Sequence, residues 1–269
     1  MRPVQVMGVV NVTPDSFSDG GRYLDAAAAL AHARRLVAEG ADWIDVGGES
    51  TRPRAEPVPE AEELRRVLPV VEALAADGVA VSIDTRKSEV AGAAVAAGAR
   101  MVNDVTARLA PVAAATGAAF VAVHMQGDPA TMQDEPRYDD VVAEVRDYLV
   151  ARAEAATAAG VPEVWIDPGI GFGKTLDHNL ALLAHLDALV ATGYPVLIGT
   201  SRKAMLGTLA ARAEPGGAGS VPPPADRLEG SLATAVWAQL AGAAMVRVHD
   251  VAASRRARDA VEVVAARAA

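Results

Sequence analysis

The chain contains no cysteine. Disulfides and thiolate-bound metals are therefore excluded, and a reducing compartment is the natural setting. It has no apolar run long enough to span a bilayer. The opening M-R-P-V-Q-V-M-G-V-V-N is too short and too interrupted for a signal-peptide core, so a cytoplasmic location is expected. Dense Lys/Arg blocks with interleaved aromatics are also missing. Aromatics make up 4% of the chain and the net charge is −9, which argues against nucleic acid as a partner. An anionic small molecule is still admissible, because a few local cations can dominate a low-dielectric pocket. Familiar catalytic signatures are lacking: there is no G-x-S-x-G elbow and no H-E-x-x-H zinc site. A triad of Ser201, His249 and Asp250 has no spacing to support it.

What is present is regular. In 269 residues, 51% of them hydrophobic, eight short apolar stretches alternate with helical ones. The expected strands are Gln5–Asn11, Trp43–Val46, Val79–Asp84, Met101–Asp104, Ala119–His124, Val164–Asp167, Val196–Gly199 and Met245–Val248. The expected helices are Ala26–Glu39, Glu60–Ala76, Ser88–Ala97, Ala110–Ala115, Tyr138–Ala159, Thr175–Leu189, Leu228–Ala241 and Ala252–Ala266. Near-continuous apolar strands imply a parallel sheet covered on both faces. Eight such units in this length favour an α/β fold of the (β/α)8 TIM-barrel type, a single domain over 1–269, ahead of an open doubly wound sheet.

The stretch V-W-I-D-P-G-I-G-F-G-K (Val164 to Lys174) shows the plan. A strand ends in Asp167, Pro168 stops the ladder, and Gly169, Gly171 and Gly173 allow a tight turn. Pro168 occupies the place of the first glycine of a Walker A loop, and Lys174 that of the last glycine of a dinucleotide fingerprint, so neither motif is met. Every other strand also runs into a polar tip, while the turns on the far side, such as Glu39-Gly40-Ala41, are small and plain. In a barrel such tips converge on one mouth, where active sites form. Three segments are loop-like: 14–24 and 52–59, rich in Gly, Pro and charge, suit mobile lids, and the low-complexity insert 212–225 suits an exposed flexible connection.

The tip residues form two groups. Asp84, Asn103 and Asp167 end strands 3, 4 and 6 without an obvious basic neighbour in sequence. Buried acceptors need partners, and these suit a ligand rich in N–H donors, such as an aminopyrimidinone edge. Arg247 and His249 alternate on strand 8 and point the same way. Asn11 ends strand 1, which barrel closure places beside strand 8. Arg and His grip phosphate oxygens, and Asn11 offers one oxygen to a Mg²⁺ held mainly through substrate phosphates. Lys203 follows strand 7, between the two groups.

In order along the chain, N-V-T-P-D-S-F-S-D-G-G, D-V-G-G-E-S-T-R-P, S-I-D-T, H-M-Q-G, D-P-G-I-G-F-G-K, S-R-K and R-V-H-D-V resemble the dihydropteroate synthase family of folate biosynthesis, from Val6 to Val251. The resemblance implies condensation of 6-hydroxymethyl-7,8-dihydropterin diphosphate with 4-aminobenzoate. It assigns Asp84, Asn103, Asp167 and Lys203 to the pterin, and Asn11, Arg247 and His249 to the diphosphate with Mg²⁺. Thr51, Arg52 and Pro53 fall on the aminobenzoate side, and Lys203, Arg247, His249 and Asp84 are the catalytic candidates. It further implies lid closure, a homodimer and sulfonamide competition. A pterin-dependent methyltransferase domain and a non-catalytic pterin-binding paralogue are the alternatives. Two departures stand out: Ala204 where many relatives carry Ser, and Thr106-Ala107-Arg108 where many carry Ser-Gly-Gly.

Overall fold

The computed structural model describes residues 3–12, 22–50, 55–129, 131–214 and 219–268. Eight parallel strands carry the chain: β1 (Gln5–Asn11), β2 (Trp43–Gly47), β3 (Val81–Asp84), β4 (Met101–Asp104), β5 (Ala119–Val123), β6 (Val164–Asp167), β7 (Leu197–Ile198) and β8 (Met245–Val248). Their order is β6-β5-β4-β3-β2-β1-β8-β7. The remaining seam, between β6 and β7, closes through one parallel bridge from Ile166 to Val196 and a bond from Ile166 N–H to Pro195 O of 3.0 Å. The expected barrel is formed.

Around it lie α1 (Arg22–Ala38), α2 (Glu60–Ala76), α3 (Ser88–Ala96), α4 (Ala110–Thr116), α5 (Val141–Ala158), α6 (Leu176–Ala184), α7 (Leu186–Val190), α8 (Ala204–Ala213), α9 (Leu228–Leu240) and α10 (Val251–Ala268). Alternation along the strands divides the core into two shells. The inner one is Met7, Met101, Val105, Ala119, Val121, Val123, Trp165, Leu197 and Met245. The outer one, including Val6, Val10, Ile44, Val46, Ile83, Val102, Phe120 and Ile166, packs the strands against the helices. Each of β2 to β8 is preceded by a glycine at positive φ (40, 78, 98, 117, 160, 193, 242). Glycine ends a helix there in the left-handed conformation and brings the chain back to the plain mouth of the barrel.

Several sequence expectations are corrected. The stretch expected as one helix over Thr175–Leu189 is two, because His185 leaves the helical region (φ −115, ψ 37) between α6 and α7. Helix α8 had no counterpart in the expectations; its Ala-rich A-M-L-G-T-L-A-A-R-A takes in Arg212 and Ala213, the start of the expected insert. The far end of that insert is tied down, with Arg227 Nε and Nη2 donating to Pro222 O at 3.0 and 2.8 Å. Residues 215–218 lie outside the described residues. Of the first lid, 14–21 lies outside them too, while Arg22 to Leu24 belong to α1. Helix α5 begins only at Val141, because Asp140 caps it by accepting from Val142 N–H and Ala143 N–H.

After β4 the chain turns on Asp104, which accepts from the N–H groups of Thr106, Arg108 and Leu109 and from the Thr106 hydroxyl. The turn puts Ala107 at φ +52, in a region costing a side chain roughly 1–2 kcal/mol. Glycine, which the family resemblance places here, would avoid that cost. Ala107→Gly is expected to raise stability by about 1 kcal/mol with activity unchanged. Denaturant unfolding checks it; a lower midpoint would mean that the buried methyl contributes more by packing than the backbone loses.

Candidate active site

Asp45, on β2 between inward-facing Trp43 and Gly47, is fully buried. Its Oδ2 accepts from Arg247 Nε at 2.6 Å and from Asn103 Nδ2 at 3.1 Å. The second guanidinium nitrogen of Arg247, Nη2, donates to Asp84 Oδ2 at 2.8 Å. One arginine from β8 thus reaches across β1 to link β2, β3 and, through Asp45, β4. Asp84, read as lacking a basic neighbour in sequence, therefore has one, supplied by a strand remote in sequence. Arg247, expected in the separate diphosphate group, is bonded to Asp84 of the pterin group and to Asp45. Asp45 was missed as a site residue; its inward phase on β2 was the available signal.

This cluster still has acceptors to offer. Asp45 Oδ1 and Asn103 Oδ1 are buried with no hydrogen-bond partner among the described residues. Leaving such acceptors unmet costs on the order of 1–3 kcal/mol each, which a ligand with N–H donors would recover. Burial pushes the Asp84 carboxyl up to about 7, against the pull of Arg247 and with further upward pressure from Asp45. A proton is therefore held more tightly by Asp84 in the folded protein than in the unfolded chain. Its contribution to stability is complete below pH 4 and is lost as pH rises through about 7.

Asp167 sits on the same mouth. Its Oδ1 accepts from Gly169 N–H at 2.7 Å. Burial raises its pKa, with Lys203 opposing. The turn that follows is held against the tip of β5: a Cβ on Gly169 would lie 1.8 Å from His124 O, and one on Gly173 2.5 Å from Gln126 O. Only glycine permits that approach. Lys203 arches over this turn. Its Nζ donates to Ile170 O and lies 4.6 Å from the centre of the Phe172 ring. Burial brings its pKa down to about 8, with Asp167 opposing the fall. Lys203 is aimed by Arg202, which stands at φ +60. That conformation is fixed by bonds from Arg202 to Asp250 (Nη2 to Oδ1, 2.6 Å) and to Ser231 (N–H to Oγ, 3.0 Å). The surrounding bonds thus hold a residue in a conformation that side chains rarely adopt.

His249 lies at the end of β8, with Nδ1 3.1 Å from Ser201 Oγ. Asp250 is engaged by Arg202, so Ser201, His249 and Asp250 form no triad. Asn11 ends β1 opposite Gly47. A Cβ on Gly47 would fall 3.8 Å from Asn11 Oδ1 and 3.5 Å from Asp84 Cβ, which places Gly47 between these two side chains. Thr51, Arg52 and Pro53 lie outside the described residues. The described end of the second lid, 55–59, is tied to the residues before it. Val58 N–H donates to Glu49 Oε2 at 3.0 Å, and Glu49 pairs with Arg86 at 2.7 Å and Lys87 at 2.5 Å.

A barrel mouth that gathers carboxylates, a lysine and an arginine around unmet acceptors is built to hold a small polar molecule with N–H donors. Residues 7–249 match the family of pterin binding enzymes, and the chain belongs to it. It is 51% identical to the dihydropteroate synthase of Mycobacterium leprae (strain TN), over 99% of this chain and 94% of that one. It superimposes with a TM-score of 0.90 on the Xanthomonas albilineans dihydropteroate synthase solved with 4-aminobenzoic acid (48% identity, 98% and 94% of the two chains). The score is 0.86 with the same enzyme solved in complex with 7,8-dihydropteroate (46% identity, 98% and 95%). Within the pterin-binding enzymes the chain is one of the dihydropteroate synthases, a transferase.

Proposed function

We propose that this mouth joins 6-hydroxymethyl-7,8-dihydropterin diphosphate to 4-aminobenzoate, releasing diphosphate, with the two ends of the pterin substrate held in one cavity. The observation carrying the reading is the pair of unmet buried acceptors, Asp45 Oδ1 and Asn103 Oδ1, beside Asp84 and in the same basin as Asp167. Donors on an aminopyrimidinone satisfy them. Lys203 covers the ring, and Arg247 and His249 face the leaving diphosphate. Loss of the methylene C–O bond passes its electron pair to the diphosphate, whose growing charge Arg247 stabilises. The ring delocalises the cation left on the methylene carbon, so no protein nucleophile is needed. The aniline nitrogen then forms the new bond and loses a proton.

Among the described residues no three His, Asp or Glu side chains gather as a metal site. A Mg²⁺ bound chiefly through phosphate oxygens, with Asn11 as its protein ligand, is part of the proposal. When bound, it would supply positive charge to the leaving group. Thr51, Arg52 and Pro53 serve the aminobenzoate. Ala204, the exposed first residue of α8, brings it only a backbone N–H. The methyltransferase and the non-catalytic paralogue have no support in the synthases that match along nearly the whole chain. For the second copy in a homodimer we propose the face around Trp237 and Leu240 of α9, 53% and 58% exposed. It borders an apolar groove lined by Leu180, Leu183 and Ala233. Sedimentation of a monomer at micromolar concentration would remove that part of the proposal.

The test is diphosphate release from the pterin substrate with 4-aminobenzoate, followed against pH. Release is expected, with kcat/KM falling on the acid side of about 7 as Asp84 takes up its proton. Asp84→Asn is expected to lose that limb along with most activity. A wild-type chain that releases no diphosphate refutes the assignment.

A further inference from the structure

Lys174 has no place in the chemistry described so far, yet it is 3% exposed. Its ammonium makes no ion pair among the described carboxylates. Instead Nζ lies 2.9 Å from His124 Nδ1 and donates to Phe172 O (3.0 Å), Gly169 O (3.1 Å) and, more weakly, His124 O (3.4 Å). A buried cation without a carboxylate is costly. A surface-seeking lysine could avoid the cost by turning outward; this one spans the turn 169–173 from beneath and fastens it to the tip of β5.

That turn is the one on which the pterin half of the site rests. Gly169 donates to Asp167, Ile170 O receives Lys203 Nζ, and Phe172 lies under the Lys203 ammonium. A Cβ on Gly171 would stand 3.3 Å from Lys203 Cδ. Two lysines therefore hold one turn: Lys203 through Ile170 O, Lys174 through Gly169 O and Phe172 O.

We propose that Lys174 is a positioning residue for the synthase reaction, its protonated form locking the 169–173 turn and supporting the Asp167 carboxylate, and that the His124 tautomer reports its state. The inference rests on the pterin site proposed above. The geometry satisfies two protonation states, and they differ in tautomer. As an ammonium, Lys174 donates to Gly169 O, Phe172 O and the lone pair of His124 Nδ1, so the His124 proton sits on Nε2. As an amine, it keeps two donors for the carbonyls and turns its lone pair to an Nδ1–H of His124. Only the ammonium lends positive charge to Asp167. Burial brings Lys174 down to about 7, with Asp167 opposing and Lys203 reinforcing the fall. Burial, then Lys174, brings His124 down to about 3, so His124 stays neutral while Lys174 titrates.

The ionisable groups around the pair are Asp167 and Lys203 on the cavity side and Tyr138, Tyr148 and His178 behind. Tyr148 meets the His124 ring edge-on at 4.9 Å, and Tyr138 lies 6.1 Å away. Tyr138 donates its hydroxyl to Gly173 O at 2.8 Å and meets His178 edge-on at 4.9 Å.

The experiment uses the full chain, ¹⁵N-labelled at its five histidines, with resonances assigned by His→Gln variants. Between pH 6 and 9, His124 is expected to change from the Nε2–H to the Nδ1–H tautomer with a midpoint near neutrality. In Lys174→Met the change is expected to vanish. Saturating 6-hydroxymethylpterin is expected to move the wild-type midpoint upward, because by linkage the ligand favours the state that binds it. Lys174→Met, if folded, is expected to raise the KM for the pterin diphosphate at least tenfold and that for 4-aminobenzoate less than threefold. A His124 tautomer constant across the range, or a midpoint unmoved by pterin in the wild type, overturns the proposal without reference to any variant. Equal changes in both KM values would reduce Lys174 to a general stabiliser. Absence of diphosphate release by the wild type is a separate outcome that strikes the site assignment itself.

Discussion

Arg247→Ala is expected to destabilise the protein and to abolish most of its activity in one step. Arg247 donates to Asp45 at 2.6 Å and Asp84 at 2.8 Å. Burial disfavours its charge, but the two carboxylates more than offset that and raise its pKa. Removing it leaves two buried carboxylates without a counter-charge, and breaking a buried pair from one side costs about 3–5 kcal/mol. The leaving diphosphate loses its guanidinium as well. Loss of one such electrostatic contact lowers kcat by roughly 10²–10³-fold. Pterin affinity is expected to fall too, because Asp84 and Asn103 are oriented through the same network. Adding Asp84→Asn to Arg247→Ala separates these effects. Stability should partly return, since one stranded charge is gone, while activity stays low. Denaturant unfolding and steady-state rates read both quantities. Wild-type stability in the single variant would show that the ion pairs contribute nothing net.

Asp167→Asn is the second large effect, and it acts differently. An asparagine oxygen still accepts from Gly169 N–H, so the turn keeps its anchor and the change isolates the charge. The pterin loses an acceptor for its N–H edge, and Lys203 loses the carboxylate that helps keep it protonated. Pterin affinity should fall by about 2–4 kcal/mol, the scale set by a site hydrogen bond left unmade. Calorimetric titration with a pterin analogue measures it. An effect of less than a few-fold would take Asp167 out of the pterin site. The folded structure should change little, and unfolding midpoints of Asp167→Asn and wild type provide that control.

The two variants also show where sequence reading stops. Asp84, Asn103 and Asp167 were recognisable because each stands at or one place before the end of a short apolar strand, and period-2 alternation shows which residues face inward. Arg247 and His249 follow from the same rule on β8. The partner of Arg247 does not follow. It stands 202 positions from Asp45, and no local pattern links them. Lys174 reads in sequence as the end of a glycine-rich turn; its burial against His124 depends on how closely the β6 turn approaches the β5 tip. Helix α8 was missed because the proline- and glycine-rich residues after it dominate the local composition.

The sequence by itself determined the alternation of strands and helices, the mouth on which the polar tips gather, and, through seven ordered motifs, the family. These properties are local or repetitive, so spacing and composition carry them. Only the tertiary structure decided which charge neutralises which, which acceptors stay open for a ligand, and which lysine holds which carbonyls of the β6 turn. Those depend on closure of the barrel, which brings strands distant along the chain within hydrogen-bonding reach and strips them of water. There, differences of a single ångström govern both pairing and protonation.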